Sequence, residues 1–254
     1  MKLVPISGRR VVAQRLQGPQ TMTKTSKLLI FGDQDFAQLA YEYFTHDSPY
    51  EVVAFTVDRS HLRDGELFGR PVVPFDELEA RYPPEAHSIY VAIVYGKLNR
   101  VRAEVCDRAK ALGYRLASYV STRASVWHNV KFGEHCFVFE DNTIQPFVTI
   151  GDNVVLWSGN HVGHHSRIGN HCFITSHVVI SGWCEVGDYC FLGVNSTLAN
   201  NTSVGAESWI SHAAVLSGDV PPHSLVRAPN SEISPLNEAV LFRSLARASK
   251  ARQR

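Results

Sequence analysis

No stretch of the 254-residue sequence approaches the ~20 consecutive apolar residues that a membrane-spanning helix needs. Residues 1–26 carry Arg9, Arg10 and Arg15 but lack the apolar core of a secretory signal. They read as a loose extension, with Met22, one of only two methionines, as the alternative start. A cytoplasmic protein is the expectation, and its five cysteines, none spaced Cys-x-x-Cys, are expected to be reduced. Charge of one sign is also lacking. The formal net charge is +1, which gives no reason to expect the clustered basic face of a nucleic-acid binder. The one basic cluster (Arg243, Arg247, Lys250, Arg252, Arg254) reads as a solvated helix end or tail.

What is present is an apolar content of 44% against 19% charge, enough for a sizeable core. The apolar residues are periodic. Stepping by six from Val126, through Phe132, Val138, Ile144 and onward to Ile210 and Leu216, sixteen consecutive positions are large and apolar. With roughly 35% of residues of that kind, chance gives such a run on the order of one time in ten million.

Four residues after each of these sits a small or slender side chain, from Val130, Cys136 and Asn142 to Ser208 and Ala214. A third signal has period eighteen: Gly133, Gly151, Gly169, Gly187 and Gly205. Three hexads therefore make one coil, and the coils stack into a triangular prism with large aliphatics pointing inward. The glycines are expected where the chain turns sharply at one corner. Cys136, Cys172, Cys184 and Cys190 fall on the small inward register, so core packing is expected of them rather than metal binding. Periodicity does not give the hand of the coil.

Residues 27–121 alternate strand and helix. Leu28–Phe31 ends at Gly32, and Asp35 to Phe44 has helical spacing. Val52 to Val57 is a second strand ended by Asp58. Tyr90 to Tyr95 is a third, followed by a helix from about Lys97 to Leu112, and Arg115 to Val120 is a fourth. This is a small parallel α/β unit, Rossmann-like but without the glycine fingerprint. Gly32 is followed by Asp33, which would repel a pyrophosphate, so a dinucleotide cofactor is not expected. A strand end beside a helix N-terminus still suits a nucleotide. Asp58 either accepts from a ribose or base or merely caps a loop.

Twelve histidines is high, and six of them, His135, His161, His164, His165, His171 and His177, crowd neighbouring coils. A metal cluster is disfavoured, because coils ~4.8 Å apart do not converge ligands, and adjacent His164 and His165 are expected to point to different sides. No metal is therefore expected. Acyl transfer from a thioester needs a general base and donors for the oxyanion. His164 follows Gly163 at a corner, and Gly182 lies eighteen residues on, directly over it. Spacing alone leaves two readings of His164: a base beside a backbone donor, or a plain surface corner.

These motifs together resemble, over nearly the whole chain, the NeuD/PglD-like sugar acyltransferases. Val162-Gly163-His164-His165-Ser166-Arg167-Ile168-Gly169 is similar to that family's Ile-Gly-His-Asp/Glu-x-x-Ile-Gly motif. The resemblance implies an α/β Rossmann-like domain (27–121) that holds a nucleotide sugar, with Gly32, Asp33 and Asp58 as its candidate contacts. It implies a left-handed parallel β-helix (122–220), on which His165 is the substrate contact, and a C-terminal loop and helix (221–254). His164 would be the base, and the Gly182 amide would face the thioester. Leu192, Gly193 and Asn195 would line the CoA channel, and the active site would lie between copies in a homotrimer. Three departures stand out. His165 replaces the carboxylate, Phe173 stands where a second histidine is frequent, and Val226-Arg227-Ala228-Pro229 only loosely matches the closing loop.

The expected function is transfer of acetyl from acetyl-CoA to the amino group of a nucleotide-linked amino sugar. O-acetylation of a sugar hydroxyl is the near rival, and a non-catalytic trimeric scaffold the distant one. The scaffold predicts no saturable CoA binding.

Overall fold

The computed structural model describes residues 22–231. The expectations for residues 1–21, for the basic cluster and for the C-terminal helix lie outside them.

The N-terminal unit is one six-stranded sheet. Its elements are β1 (Ser26–Phe31), α1 (Asp35–His46), β2 (Tyr50–Val57), β3 (Glu66–Leu67), β4 (Arg70–Pro74), α2 (Leu78–Arg81), β5 (His87–Val91), α3 (Arg100–Ala111) and β6 (Arg115–Leu116). Strand order is β3-β4-β2-β1-β5-β6, all parallel except the β3–β4 hairpin. The order reverses between β1 and β5, the point where open α/β sheets bind ligands. Three expected boundaries move, the first being the strand expected at Tyr90 to Tyr95, which runs His87–Val91. Residues 115–120 divide, with Arg115–Leu116 joining this sheet and Tyr119–Val120 opening the next domain. The expected helix start at Lys97 is instead three successive left-handed residues, Lys97, Leu98 and Asn99, and α3 begins at Arg100.

From Tyr119 to Val226 the chain coils into a three-walled parallel β-helix, consistent with the left-handed hexapeptide form. Each rung is a two-residue strand whose first residue faces out and whose second faces in. The first wall has seven rungs, the second six and the third five. Register pairs Val155 with Phe173 and His161 with Val179, which confirms the coil of eighteen. The inward aliphatics and the small register, including all four cysteines named above, form one buried core. Burial pushes the Cys136 thiol up to about 12, as expected of an inert core cysteine.

The glycine column has a different cause from the sharp turn expected. None of its five members has a positive φ. The chain reverses two residues later in each hexad, at His135, Asp141, Phe147, Asn153, His165 and their equivalents, all left-handed. The column is glycine because the next coil passes too close. A Cβ on Gly151 would sit 2.8 Å from the Gly169 carbonyl carbon.

The outward residues decide what each wall does. The first wall presents Tyr119, Phe137, Val155, Phe173 and Phe191, all buried against Phe36, Phe44 and Tyr90 of the N-terminal unit. Phe173, at the position of the absent histidine, is thus an interdomain contact. The second and third walls present Ser, Thr, Val, His, Lys, Arg and Glu.

Polar pins cross the same junction. Arg102 of α3 is fully buried. Its five N–H groups donate to Asn153 Oδ1 (2.6 Å), Asn99 Oδ1 (3.0 Å) and the carbonyls of Ile93, Asn153 and Cys172. His135 accepts from the Val91 N–H through Nε2 (2.8 Å), and its Nδ1 lies 2.9 Å from Asn153 Oδ1.

Burial first, then the Arg102 charge, holds the His135 imidazolium down from its ordinary 6.5 to about 3. Its folded pKa lies below the unfolded one, so the unfolded chain binds this proton first and folding stability is lost as the pH is lowered through that window. Between pH 6.5 and 5, above the carboxylate range, the melting temperature is expected to decline measurably in wild type. A flat profile there contradicts a neutral, buried His135.

Candidate active site

The corner between the second and third walls carries Gly163, His164 and His165, between rungs His161–Val162 and Arg167–Ile168. Coil stacking places Gln145, Pro146 and Phe147 beneath this corner and Ser181, Gly182 and Trp183 above it. The His164 N–H donates to Gln145 Oε1 (2.9 Å), and the His164 carbonyl accepts from the Trp183 N–H (3.0 Å).

The exposed His164 ring lies across Gly182. A Cβ built on Gly182 would be 2.8 Å from Cε1 and 2.9 Å from Nε2, so only glycine leaves room for the imidazole. The expected juxtaposition of His164 and Gly182 is therefore present.

Two expectations at this corner change. His165 does not point away from His164: their Nδ1 atoms are 3.1 Å apart. The His165 ring instead stacks on Trp183 (4.2 Å, 8°) and on Phe147 (4.6 Å, 26°), the residues one coil above and one coil below it. The Gly182 amide is also not free, since its N–H donates to Asn200 Oδ1 at 3.0 Å. A thioester carbonyl must displace that side chain to reach it. Asn200 lies eighteen residues past Gly182, so the same period that stacks Gly182 over His164 places Asn200 over Gly182. If the Gly182 amide serves an oxyanion, Asn200→Ala is expected to raise kcat/KM for the acyl donor several-fold. A fall in that ratio would show Asn200 to be needed in place.

The remaining candidates lie elsewhere. Leu192 is fully buried in the prism core, so its side chain lines no channel; the aliphatic period that places it inward excludes that role. Gly193 and Asn195 sit on the corner between the first and second walls, not with His164. Asn195 is exposed there with φ 58°.

In the N-terminal unit, Gly32 ends β1 at the strand-order reversal. It has φ +119°, and a Cβ there would meet the Ala92 carbonyl oxygen at 3.0 Å. Asp33 accepts from Gln34 Nε2 at 2.6 Å. Asp58 neither caps its loop nor stands open, because both of its oxygens are taken by Arg108 of α3, at 2.5 and 3.2 Å. The Arg108 hydrogen bonds hold its carboxyl below the usual range. Asp58 thus faces a ribose only if it first releases Arg108.

A groove of about 530 Å³ runs along the third wall from Arg167, two residues past His165, to Pro222. Glu185, Asp188 and Ser203 line it together with the backbone of Gly169, Gly187 and Gly205. Among the described residues, no three His, Cys, Asp or Glu side chains are grouped to hold a metal ion. None of the described helices is long and apolar enough to cross a membrane.

The family model for bacterial transferase hexapeptide (six repeats) matches residues 147–182 and 165–200, the coils that bear the histidine corner. A comparison with curated proteins gives no match. Among solved structures, the acetyltransferase domain of PglB from Neisseria gonorrhoeae FA1090 is 23% identical. It covers 82% of this chain and 100% of its own, with a TM-score of 0.70. PerB from Caulobacter crescentus, in complex with CoA and GDP-perosamine, is 24% identical and covers 82% and 98%, with a TM-score of 0.70. WeeI from Acinetobacter baumannii AYE is 18% identical and covers 82% and 100%, with a TM-score of 0.62. The chain shares their fold. Their coverage spans both domains, so the pairing of an α/β unit with a hexapeptide prism is common to all four.

Proposed function

We propose that this chain is an acyltransferase that moves acetyl from acetyl-CoA to the amino group of a nucleotide-linked amino sugar. The observation that carries the reading is an exposed imidazole fixed against a glycine corner, with its second nitrogen held by a neighbour. That is the arrangement a general base needs. The likeness to PerB, whose structure contains CoA and GDP-perosamine, supports the substrate class.

In the proposed step the amine nitrogen attacks the thioester carbonyl and forms the C–N bond. The carbonyl electrons move to oxygen, where the Gly182 N–H, once released by Asn200, receives them. His164 Nε2 takes the amine proton. Collapse breaks the C–S bond, and that proton passes to the departing sulfur. The nucleotide would sit at the strand-order reversal beside Gly32 and Asp33, with its phosphates held away from the Asp33 carboxylate.

His164 and the pair Gly193 and Asn195 occupy different corners of one prism. A site that uses both therefore forms between copies, in keeping with a homotrimer. Sedimentation equilibrium tests this, and a monomer at working concentration counts against it. The occupied Gly182 amide favours the alternative of a non-catalytic scaffold.

One assay separates the readings. Acetyl-CoA is offered with the amino and hydroxyl forms of each of several nucleotide sugars, and released thiol is followed. Turnover that needs the nitrogen supports N-acetylation. Turnover on the hydroxyl form means O-acetylation. No saturable CoA binding and no thiol release overturn the enzyme reading.

A further inference from the structure

We propose that His165 is the positioning residue for His164, its Nδ1 accepting from the His164 Nδ1–H, and that Phe147 and Trp183 exist at this corner to clamp it. The inference rests on His164 being the base. It adds what holds that base in a chain with no carboxylate beside it.

Phe147, His165 and Trp183 lie eighteen residues apart, one above another, each at the left-handed position of its hexad (φ 66°, 59° and 61°). Equivalent positions elsewhere hold Asp141, Asn153, Asn195 and Asn201, the residue types that adopt this conformation at least cost, and also His171 and Tyr189, which stack on each other one coil apart. Bulky aromatics are unfavourable there. Phe147 is 58% and Trp183 56% exposed, so they gain little from burial. What they contact is His165, one on each face of its ring. Stacking on both faces fixes the plane of a ring that would otherwise turn freely at an exposed corner. With that plane fixed, Nδ1 of His165 faces Nδ1 of His164 at 3.1 Å.

Two neutral imidazoles cannot present lone pairs to each other at that distance, so one nitrogen carries the proton. The chemistry selects which. When His164 Nε2 takes a proton from the nucleophile, His164 becomes an imidazolium with N–H at both nitrogens. Its Nδ1–H then meets His165 Nδ1, whose own single proton is on Nε2. The contact passes from a neutral to a charge-assisted hydrogen bond as the proton arrives, so it strengthens in the transition state. His165 neither gains nor loses a proton in the step.

Two variants separate the hydrogen bond from the stack. His165→Phe keeps an aromatic ring between Phe147 and Trp183 and deletes the acceptor. His165→Asn deletes the ring and keeps an acceptor near the Nδ1 position. His165→Phe is expected to lower kcat about 10- to 100-fold, on the scale of losing the outer partner that orients a metal-bound histidine. KM for acetyl-CoA should stay within about twofold of wild type, and His165→Asn should recover most of the loss.

Independently of turnover, nitrogen NMR of histidine-labelled protein should show His164 of wild type protonated on Nδ1 and bare on Nε2. In His165→Phe it should shift toward the Nε2–H form. Wild-type kcat in His165→Phe, or a wild-type His164 already bare on Nδ1, overturns the assignment. If His164→Ala itself keeps full turnover, the base reading fails instead, and the NMR result alone then decides whether His165 holds the His164 tautomer.

Discussion

His164→Asn is expected to lower kcat by about 10²- to 10⁴-fold, the usual size of a general-base contribution, while acetyl-CoA binds as before. The imidazole lies on the prism surface, edge-on to Trp183 (6.4 Å, 86°), and its backbone N–H is tied to Gln145. The ring supports no core contact, so its removal should leave the fold intact. Asparagine keeps a polar side chain at the corner but has no nitrogen that can accept a proton near neutrality. The loss should fall on kcat rather than on KM, because the base acts only as the nucleophile's proton departs. Full turnover in this variant, with unchanged circular dichroism, would remove His164 from the mechanism. Loss of CoA binding with turnover would instead make it a binding residue.

Arg102→Ala is expected to destabilise the protein by roughly 3–5 kcal/mol and to split one unfolding transition into two. The guanidinium is fully buried, and the acceptors within its reach are neutral. Burying that charge is costly, and burial lowers its pKa. The saturated set of five hydrogen bonds makes it tolerable. Removing the side chain strands the carbonyls of Ile93 and Asn153, at about 1–3 kcal/mol for each group left without a partner, while the Cys172 carbonyl keeps the Val155 N–H (3.0 Å) and relief of the buried charge offsets part of the loss.

Because Arg102 lies on α3 while Asn153 and Cys172 lie on the prism, the damage concentrates at the junction. The aromatic packing of the first wall would remain, but the two domains should no longer melt as one. Calorimetry reads both effects. Arg102→Met restores most of the shape without the donors and should fall between wild type and alanine. A single transition within about 1 kcal/mol of wild type would show that the aromatic wall alone joins the domains.

The amino-acid sequence determined the prism, its coil of eighteen, its inward registers, the burial of its cysteines and the stacking of Gly182 over His164. It could do so because a chain coiling on itself at one strand spacing makes every residue's neighbour the one eighteen positions away. Contacts are then written as a period. It also held unread signals of the same kind. The aromatic column Tyr119, Phe137, Phe173, Phe191 and Trp209 marks the covered wall, and Asn200 follows Gly182 by one coil.

Only the tertiary structure decided the rest. It turned His165 back onto His164, closed Arg108 over Asp58, and drove Arg102 into the seam between domains. Those outcomes depend on side-chain rotamers and on the docking of two units, such as Arg102 on Asn153, that no repeat relates. A period specifies which backbones lie side by side, and it is silent on where a side chain swings once a second body packs against it.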